Sequence, residues 1–353
     1  MFFRLSAGAV VVALALAPSA ASAQAQATTI SGFADDRFEP AGAGSAFLTV
    51  ESLDFRGHLR AAAALVEDWA VHPMVAYNPQ AGSSTAVVSQ QLISHLDAAL
   101  MLWNRMRVDL GVPISLVGAG NAATIDTQSY GAPEGHVLGD LRLGADVRVY
   151  GKPGSRFVAA AGLQLFVPTG STGGWNGDGG VRVWPRLMAA GERGRLVWAA
   201  RAGVQIRPKD SCGCNLAPGS ELDGAVAGGW RINPRLLVGP ELYASTSFSG
   251  GTLAARGTAP VEAMVGGHWA VTPQWNVSLG LARGLTDGTG SPAFRAVAGV
   301  QFLMPVAEAT AIPAAPPPWN EDPALPALSP VPAASDDAPP AAAQPLGAAE
   351  VTP

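Results

Sequence analysis

The chain has 353 residues, 48% of them hydrophobic and only 14% charged, with a formal net charge of −5 and two cysteines. Without a basic cluster there is no footprint for a phosphate backbone, which excludes nucleic acid as a partner. Beyond the leader no stretch approaches the roughly 18 uninterrupted apolar residues of a membrane-spanning helix, so the hydrophobicity must be spent another way.

The first element is a secretory signal peptide over residues 1–23. Arg4 makes the start positive, Ala9–Ala17 is an apolar run too short to span a bilayer, and Ala21-Ser22-Ala23 is a small-residue cleavage site. No cysteine stands near the cut to carry a lipid anchor. Residues 24–56 follow as an N-terminal periplasmic segment. It contains FADDRFEP, whose Asp35-Asp36 pair reads as a solvated turn rather than an acid site.

From Gly57 to Phe302 apolar and polar side chains alternate in short segments, each ended by Gly, Pro, Asn or Ser. Gly139–Tyr150 is the clearest: Leu141, Leu143, Ala145, Val147 and Val149 take one face, and Asp140, Arg142, Asp146, Arg148 and Tyr150 the other. A soluble sandwich would bury the oily face. A membrane barrel turns it toward lipid and keeps the charges in the lumen. Twelve segments fit the period-two template: Gly57–Val66, Thr85–Leu102, Arg105–Val117, Leu138–Tyr150, Arg156–Val167, Gly180–Ala190, Arg195–Pro208, Ser220–Arg231, Leu236–Ser247, Val261–Val271, Trp275–Leu285 and Phe294–Leu303. Their connections alternate between short, as at Trp103–Asn104 and Thr272–Gln274, and long, as at Val71–Ser84 and Gly118–Val137. An even strand number with alternating turns and loops predicts an all-β, antiparallel up-and-down transmembrane β-barrel of about 12 strands. It occupies residues 57–304, in the outer membrane of a Gram-negative bacterium with both termini periplasmic. A soluble secreted β-sandwich is the alternative fold.

The same alternation assigns the lumen. Arg107, Asp109, Asp140, Arg142, Asp146, Arg148, Arg182, Arg186, Arg201, Arg207, Glu221, Asp223, Glu241 and Glu262 fall on the inward face, as do Arg60, Asp97, Arg231 and Arg295. With positive and negative charges nearly balanced, these residues either border a narrow aqueous path or pair across it as a polar plug. Pro113 and Pro185, within segments, point to bulges. Trp103, Phe157, Trp230, Trp269, Trp275 and Phe302 lie near segment ends and suit interfacial girdles.

Catalytic constellations are not in evidence. The phospholipase pattern of a serine two residues after a histidine is missing at His58, His95, His136 and His268. His95 and Asp97 share the inward face and read as a lumen hydrogen-bonded pair. The WNGDGG run has too few oxygen ligands for calcium and reads as a loop. Cys212 and Cys214 flank Gly213 in a loop and admit a small-ring disulfide, two free thiols or contact with a soft metal. No cofactor and no metal are expected, and no enzymatic activity. The tail, residues 305–353, is Pro- and Ala-rich and cannot bury a core.

In their order, DRFEPAGAGSAFLTVES, LGDLRLGADVRV, GLQLFVPTG, WNGDGGVRVWPRLMA and GVQFLMP resemble the amino-terminal barrel region of OmpA-family outer-membrane proteins of myxobacteria and their relatives. The similarity runs over roughly residues 33–304, and its most specific pieces are DRFEP, LFVPTG and the GDGGV…PRL hairpin. That resemblance implies a barrel and no catalytic motif. In that family a peptidoglycan-binding domain usually follows; residues 305–353 do not carry one, so wall anchoring is not expected of this polypeptide. By strand pattern alone the barrel also resembles the small outer-membrane channels grouped with phenol-degradation accessory porins. The expected partners are outer-membrane lipid, small solutes or ions, and a periplasmic envelope protein engaged by the tail. The expected function is a narrow passive channel or a structural envelope component, the alternative being a periplasm-facing adaptor without conductance.

Overall fold

The computed structural model describes residues 32–78, 82–125, 128–207, 219–249 and 257–306. Among them there are fifteen strands and no helix: β1 (Leu59–Asn78), β2 (Ser83–Leu102), β3 (Met106–Ala119), β4 (Ala123–Ile125), β5 (Gln128–Tyr130), β6 (Val137–Leu138), β7 (Leu141–Tyr150), β8 (Val158–Val167), β9 (Arg182–Arg193), β10 (Leu196–Gln205), β11 (Glu221–Asn233), β12 (Leu236–Ser247), β13 (Val261–Ala270), β14 (Trp275–Gly284) and β15 (Phe294–Leu303). Twelve of these, β1 to β3 and β7 to β15, pair antiparallel with their barrel neighbours. The seam closes where β1 meets β15, with Ala62 opposite Leu303 and Val71 opposite Phe294. Closure leaves no open sheet edge, the condition for strands in lipid. The remaining three decorate the connection from β3 to β7: β4 and β5 form a hairpin, and β6 pairs briefly with β3.

The alternation in β7 shows why the sheet curls this way. Arg142 and Asp146 are buried, whereas Leu143 and Val147, one residue along, are each 42% exposed. The same inversion recurs around the wall, where Leu187, Val226, Val265, Leu279 and Leu281 lie bare on the outside. Aromatic side chains gather at the ends of the strands joined by short turns: Trp103, Tyr150, Phe157, Trp230, Trp269 and Trp275 are all exposed there. An apolar wall with an aromatic rim is what a bilayer and its interface select.

Eleven of the twelve segments coincide with strands to within a few residues, and the first is much longer than its pattern indicates. β1 continues through Asn78, with a register shift between Val71 and Met74. His72, at φ 52, and Pro73 break the alternation there, and the strand resumes against Ser83–Val88. Most of the long connection expected at Val71–Ser84 is therefore strand, paired as far as Asn78 opposite Ser83. Pro113 and Pro185 stay in register opposite His95 and Leu163. The irregularity expected at Pro113 falls instead where β2 shifts between Leu92 and Ile93.

The largest departure is the segment before β1, which lies inside the barrel rather than in the periplasm. Phe33, Phe38, Phe47, Leu48, Val50, Leu53 and Phe55 are all at most 3% exposed, and Asp35 and Glu51 are equally hidden. Nothing in residues 32–56 pairs as a strand of the wall. The signal peptide, Cys212, Cys214 and the tail from residue 307 lie outside the described residues.

Candidate functional site

Residues 32–56 touch wall side chains from nearly every side of the barrel, so they fill the lumen as a plug. Gly32 lies against Trp175 in the long connection after β8, and the same indole meets Phe33 edge-on at 5.4 Å and Tyr130 in a tilted contact at 5.8 Å. At the other end Gly57 donates its N–H to the side-chain oxygen of Asn104 in the β2–β3 turn. The described chain therefore runs down the lumen from the long-loop end to the short-turn end and then turns into β1. The strand ends of β1 and β15 share the short-turn end, while residue 32 does not.

Four charged nodes fix the plug. At the first, Glu51 lies 3.1 Å from Arg186, 3.5 Å from Arg201 and 3.7 Å from Arg107. Asp146 stands behind, 2.5 Å from Arg107 and 3.0 Å from Arg186. Burial alone would push the Glu51 carboxyl up, but Arg186, Arg201 and Arg107 outweigh it and hold it at about 2. At the second node Arg142 bridges Glu39 of the plug and Asp97 of β2, each at 2.7 Å. The third joins Arg37 to Glu221 at 3.5 Å, and Ala34 donates its N–H to Asp178 at 2.9 Å. Arg207 bridges Glu221 and Asp178, and Arg182 bridges Asp178 and Asp140 at 3.0 and 3.3 Å. The fourth gathers Asp36, Asp68 and Glu262 around Arg295.

Two hydrogen-bonded clasps complete the seat. Glu241 accepts from the N–H groups of Leu48 and Thr49, at 3.0 and 2.8 Å, and from the Thr49 hydroxyl at 2.6 Å. His268 stands between Glu241 and Ser278, with Nε2 3.4 Å from the carboxylate and Nδ1 2.9 Å from the hydroxyl. Phe47 packs edge-on against its ring at 5.9 Å. Gln301 accepts from Gly44 N–H and donates to the Ser45 carbonyl. Where the plug is apolar the wall is too: Val158, Ala160, Ala190, Val197, Ala199, Ala225 and Ala227 face the cluster of Phe47, Val50, Leu53 and Phe55. Small side chains there leave the width those rings occupy. Beside the plug, near the short turns, a cavity of about 400 Å³ is bordered by Asp54, Glu192, Arg231, His268 and Asn276.

Of the residues assigned to the lumen from sequence, Arg107, Asp140, Arg142, Asp146, Arg182, Arg186, Arg201, Arg207, Glu221, Glu241 and Glu262 are buried inside the barrel and join this network. Asp109 and Asp223 reach it from its margin, 3.4 Å from Arg107 and 3.8 Å from Arg201, and the Trp184 indole donates to Asp223 at 2.6 Å. Arg148 does not join it; its guanidinium turns to the Asn104 carbonyl at the strand end. Arg231 likewise sits near the rim, half-exposed and 3.1 Å from Glu192. The expected His95–Asp97 hydrogen bond does not form, because Asp97 is taken by Arg142 and both His95 ring nitrogens lack a partner. The WNGDGG run is more than a loop: Trp175 is buried, and Asp178 holds two arginines and the plug. Sequence reasoning also missed Asp68 and Glu51. Asp68 continues the inward phase of Ala62, Ala64 and Val66. Glu51 had no periodicity to betray it.

A family model described as "Putative MetA-pathway of phenol degradation" matches residues 66–299, most of the barrel. No curated protein matches the chain. Among solved structures the chain is similar to an outer membrane channel from Pseudomonas putida F1, at 14% identity and TM-score 0.48, covering 72% of this chain and 100% of that one. It is also similar to the KdgM porin in complex with disordered oligogalacturonate, at 12% identity and TM-score 0.42, covering 69% and 98%. The NanC porin gives 9% identity and TM-score 0.43 over 69% and 98%.

Proposed function

We propose, for a chain that belongs to the family described as the putative MetA pathway of phenol degradation, that the protein is an outer-membrane channel kept shut by residues 32–56. One observation carries this reading: the wall is paired almost entirely without the plug. Seven of the eight buried arginines described in the wall and its loops have a wall or loop carboxylate in reach, Arg107 and Arg186 sharing Asp146, Arg142 with Asp97, Arg182 with Asp140, Arg201 with Asp223, Arg207 with Glu221 and Arg295 with Glu262, while Arg60 pairs with Asp54 of the segment before β1. Withdrawal of the plug then leaves a charge-paired, hydrated path rather than a row of stranded ions, whose unpaired burial would be prohibitive. The family's description points to small phenolic solutes, and rings already lie against wall guanidiniums, as with Arg182 over Phe166 at 3.9 Å and Arg201 over Trp184 at 4.5 Å. Short turns facing the periplasm fit the aromatic rim at that end, and the partner of the Pro/Ala-rich residues 305–353 is a periplasmic envelope protein. The OmpA-type likeness rests on DRFEP, LFVPTG and the GDGGV…PRL hairpin, of which DRFEP is in this barrel a lumen element and GDGGV belongs to a loop that grips it.

A permanently closed structural barrel is the second reading, favoured by the apolar packing of Phe47, Val50, Leu53 and Phe55 against the wall. Planar-bilayer recordings separate the two. The full-length chain should open intermittently, with the unit conductance of a variant lacking residues 32–56. A deleted barrel that conducts, beside a full-length chain that never opens at any voltage, would leave the structural role. A correctly inserted deleted barrel that passes no current would reject the channel altogether.

A further inference from the structure

Midway along the lumen, Asp36 of the plug, Asp68 on β1 and His95 on β2 each present one ligating atom within 4.8 Å of the others. Asp68 and His95 come from adjacent strands, Val66 lying opposite His95 and Asp68 opposite Ile93, and are 1% and 3% exposed. Arg295 already occupies one side of the cluster. It takes Oδ1 of Asp36 at 2.9 Å and Oδ2 of Asp68, and its Nε goes to Glu262 at 2.8 Å. What is left over is Oδ2 of Asp36, Oδ1 of Asp68 and both ring nitrogens of His95, all buried and without a hydrogen-bond partner.

Two shortfalls coincide here. Three carboxylates face one guanidinium, and three side chains hold unused acceptors whose burial costs about 1–3 kcal/mol each. One divalent cation offsets both. One imidazole nitrogen with two carboxylate oxygens is a donor set for a borderline cation such as Zn²⁺, three protein ligands leaving a fourth position for water. A cavity of about 30 Å³ bordered by Asp36 and His95 has room for that water.

We propose that Asp36, Asp68 and His95 bind a divalent transition-metal cation, Zn²⁺ being the best match, which ties the plug to β1 and β2. The site would exist whether or not the barrel conducts. Full-length chain, purified in detergent and stripped with a chelator, is titrated with Zn²⁺ by calorimetry, analysed for bound metal after desalting, and examined by X-ray absorption at the zinc edge. The expected result is one zinc per barrel with a single imidazole among nitrogen and oxygen donors. His95→Ala and Asp36→Asn should each weaken uptake by about 100-fold or more while the barrel keeps its heat-modifiable migration. Asp36→Asn leaves all twelve wall strands unchanged, so it serves if His95→Ala fails to insert. Absence of stoichiometric uptake would overturn the proposal and leave Asp36 and Asp68 sharing a proton. A zinc shell without imidazole, or uptake unaltered in both variants, would equally overturn it by locating the metal elsewhere.

Discussion

Replacing Glu51 by glutamine tests the plug at its most charged point. The side chain keeps its size and loses its charge, so three guanidiniums within 3.1–3.7 Å lose their shared counter-ion in a site where Glu51 is 1% exposed. Breaking a buried ion pair from one side costs about 3–5 kcal/mol, which is roughly two to three and a half powers of ten in the ratio of seated to withdrawn plug. Set against that are Phe38, Phe47, Leu48, Val50, Leu53 and Phe55, each buried to 3% exposure or less. At about 1.5–3 kcal/mol per side chain, an upper bound because the free segment is itself partly collapsed, their burial outweighs the lost pairing several-fold. Glu51→Gln should therefore not unseat the plug but should raise the frequency of brief openings by about 100-fold or more in single-channel records. A correctly folded Glu51→Gln barrel whose openings are as rare as those of the wild type would refute the assignment of Glu51 as an anchor.

Asp35 makes the seat sensitive to pH: burial, then the neighbouring Asp36 charge, pushes its carboxyl up to about 8. The seated plug thus holds a proton that the withdrawn one releases near pH 4, so seating is tightest in acid and weakens as pH rises through about 4 to 8. Openings should become more frequent between pH 5 and pH 8, and Asp35→Asn should flatten that slope; an equal slope in the variant would exclude Asp35 as its source. Leu143→Arg, on the outer face of β7, should destabilise the barrel by about 2–4 kcal/mol in denaturant titrations if it lies at the bilayer midplane, and full tolerance would contradict the face assignment. A Cβ on Gly162 would collide with Oδ1 of Asp146, which Arg107 and Arg186 pin in place. Gly162→Ala should accordingly cost about 1–3 kcal/mol, measured by the same titration, and an unchanged midpoint would show that this node can shift freely.

The wall was legible because each strand meets lipid on one side and a polar interior on the other, which writes a period of two into segments such as Leu141–Tyr150. Where the chain leaves that environment the signal fades. The second half of β1 was hidden by His72-Pro73, and Asp68 with it, although Trp69 outward and Ala70 inward continue the rhythm. The plug left no period because a segment surrounded on all sides has no outward face. Its available signal was compositional: Phe33, Phe38, Phe47, Leu48, Val50, Leu53 and Phe55 are too many large apolar side chains for a solvated lead. Charge balance could be counted from sequence, but not partners. Arg142 pairs with Asp97 and Glu39 rather than its strand neighbours, since pairing depends on which side chains reach across the lumen.

The position of the plug ahead of β1 constrains how the molecule can be built. The seam between β1 and β15 joins residues some 240 positions apart, as Ala62 with Leu303, so it is the slowest contact to find and the last stitch of the wall. Residues 32–56 are exported before any strand exists. Threading bulky rings such as Phe47 and Phe55 lengthwise through a finished cylinder would drag buried charges past apolar patches. Wrapping the sheet around a segment already in place avoids that passage. The plug then acts during biogenesis as a mandrel, giving the alanines and arginines of successive hairpins a common surface to condense on, and the diameter of the closed barrel is set partly by what it closes over.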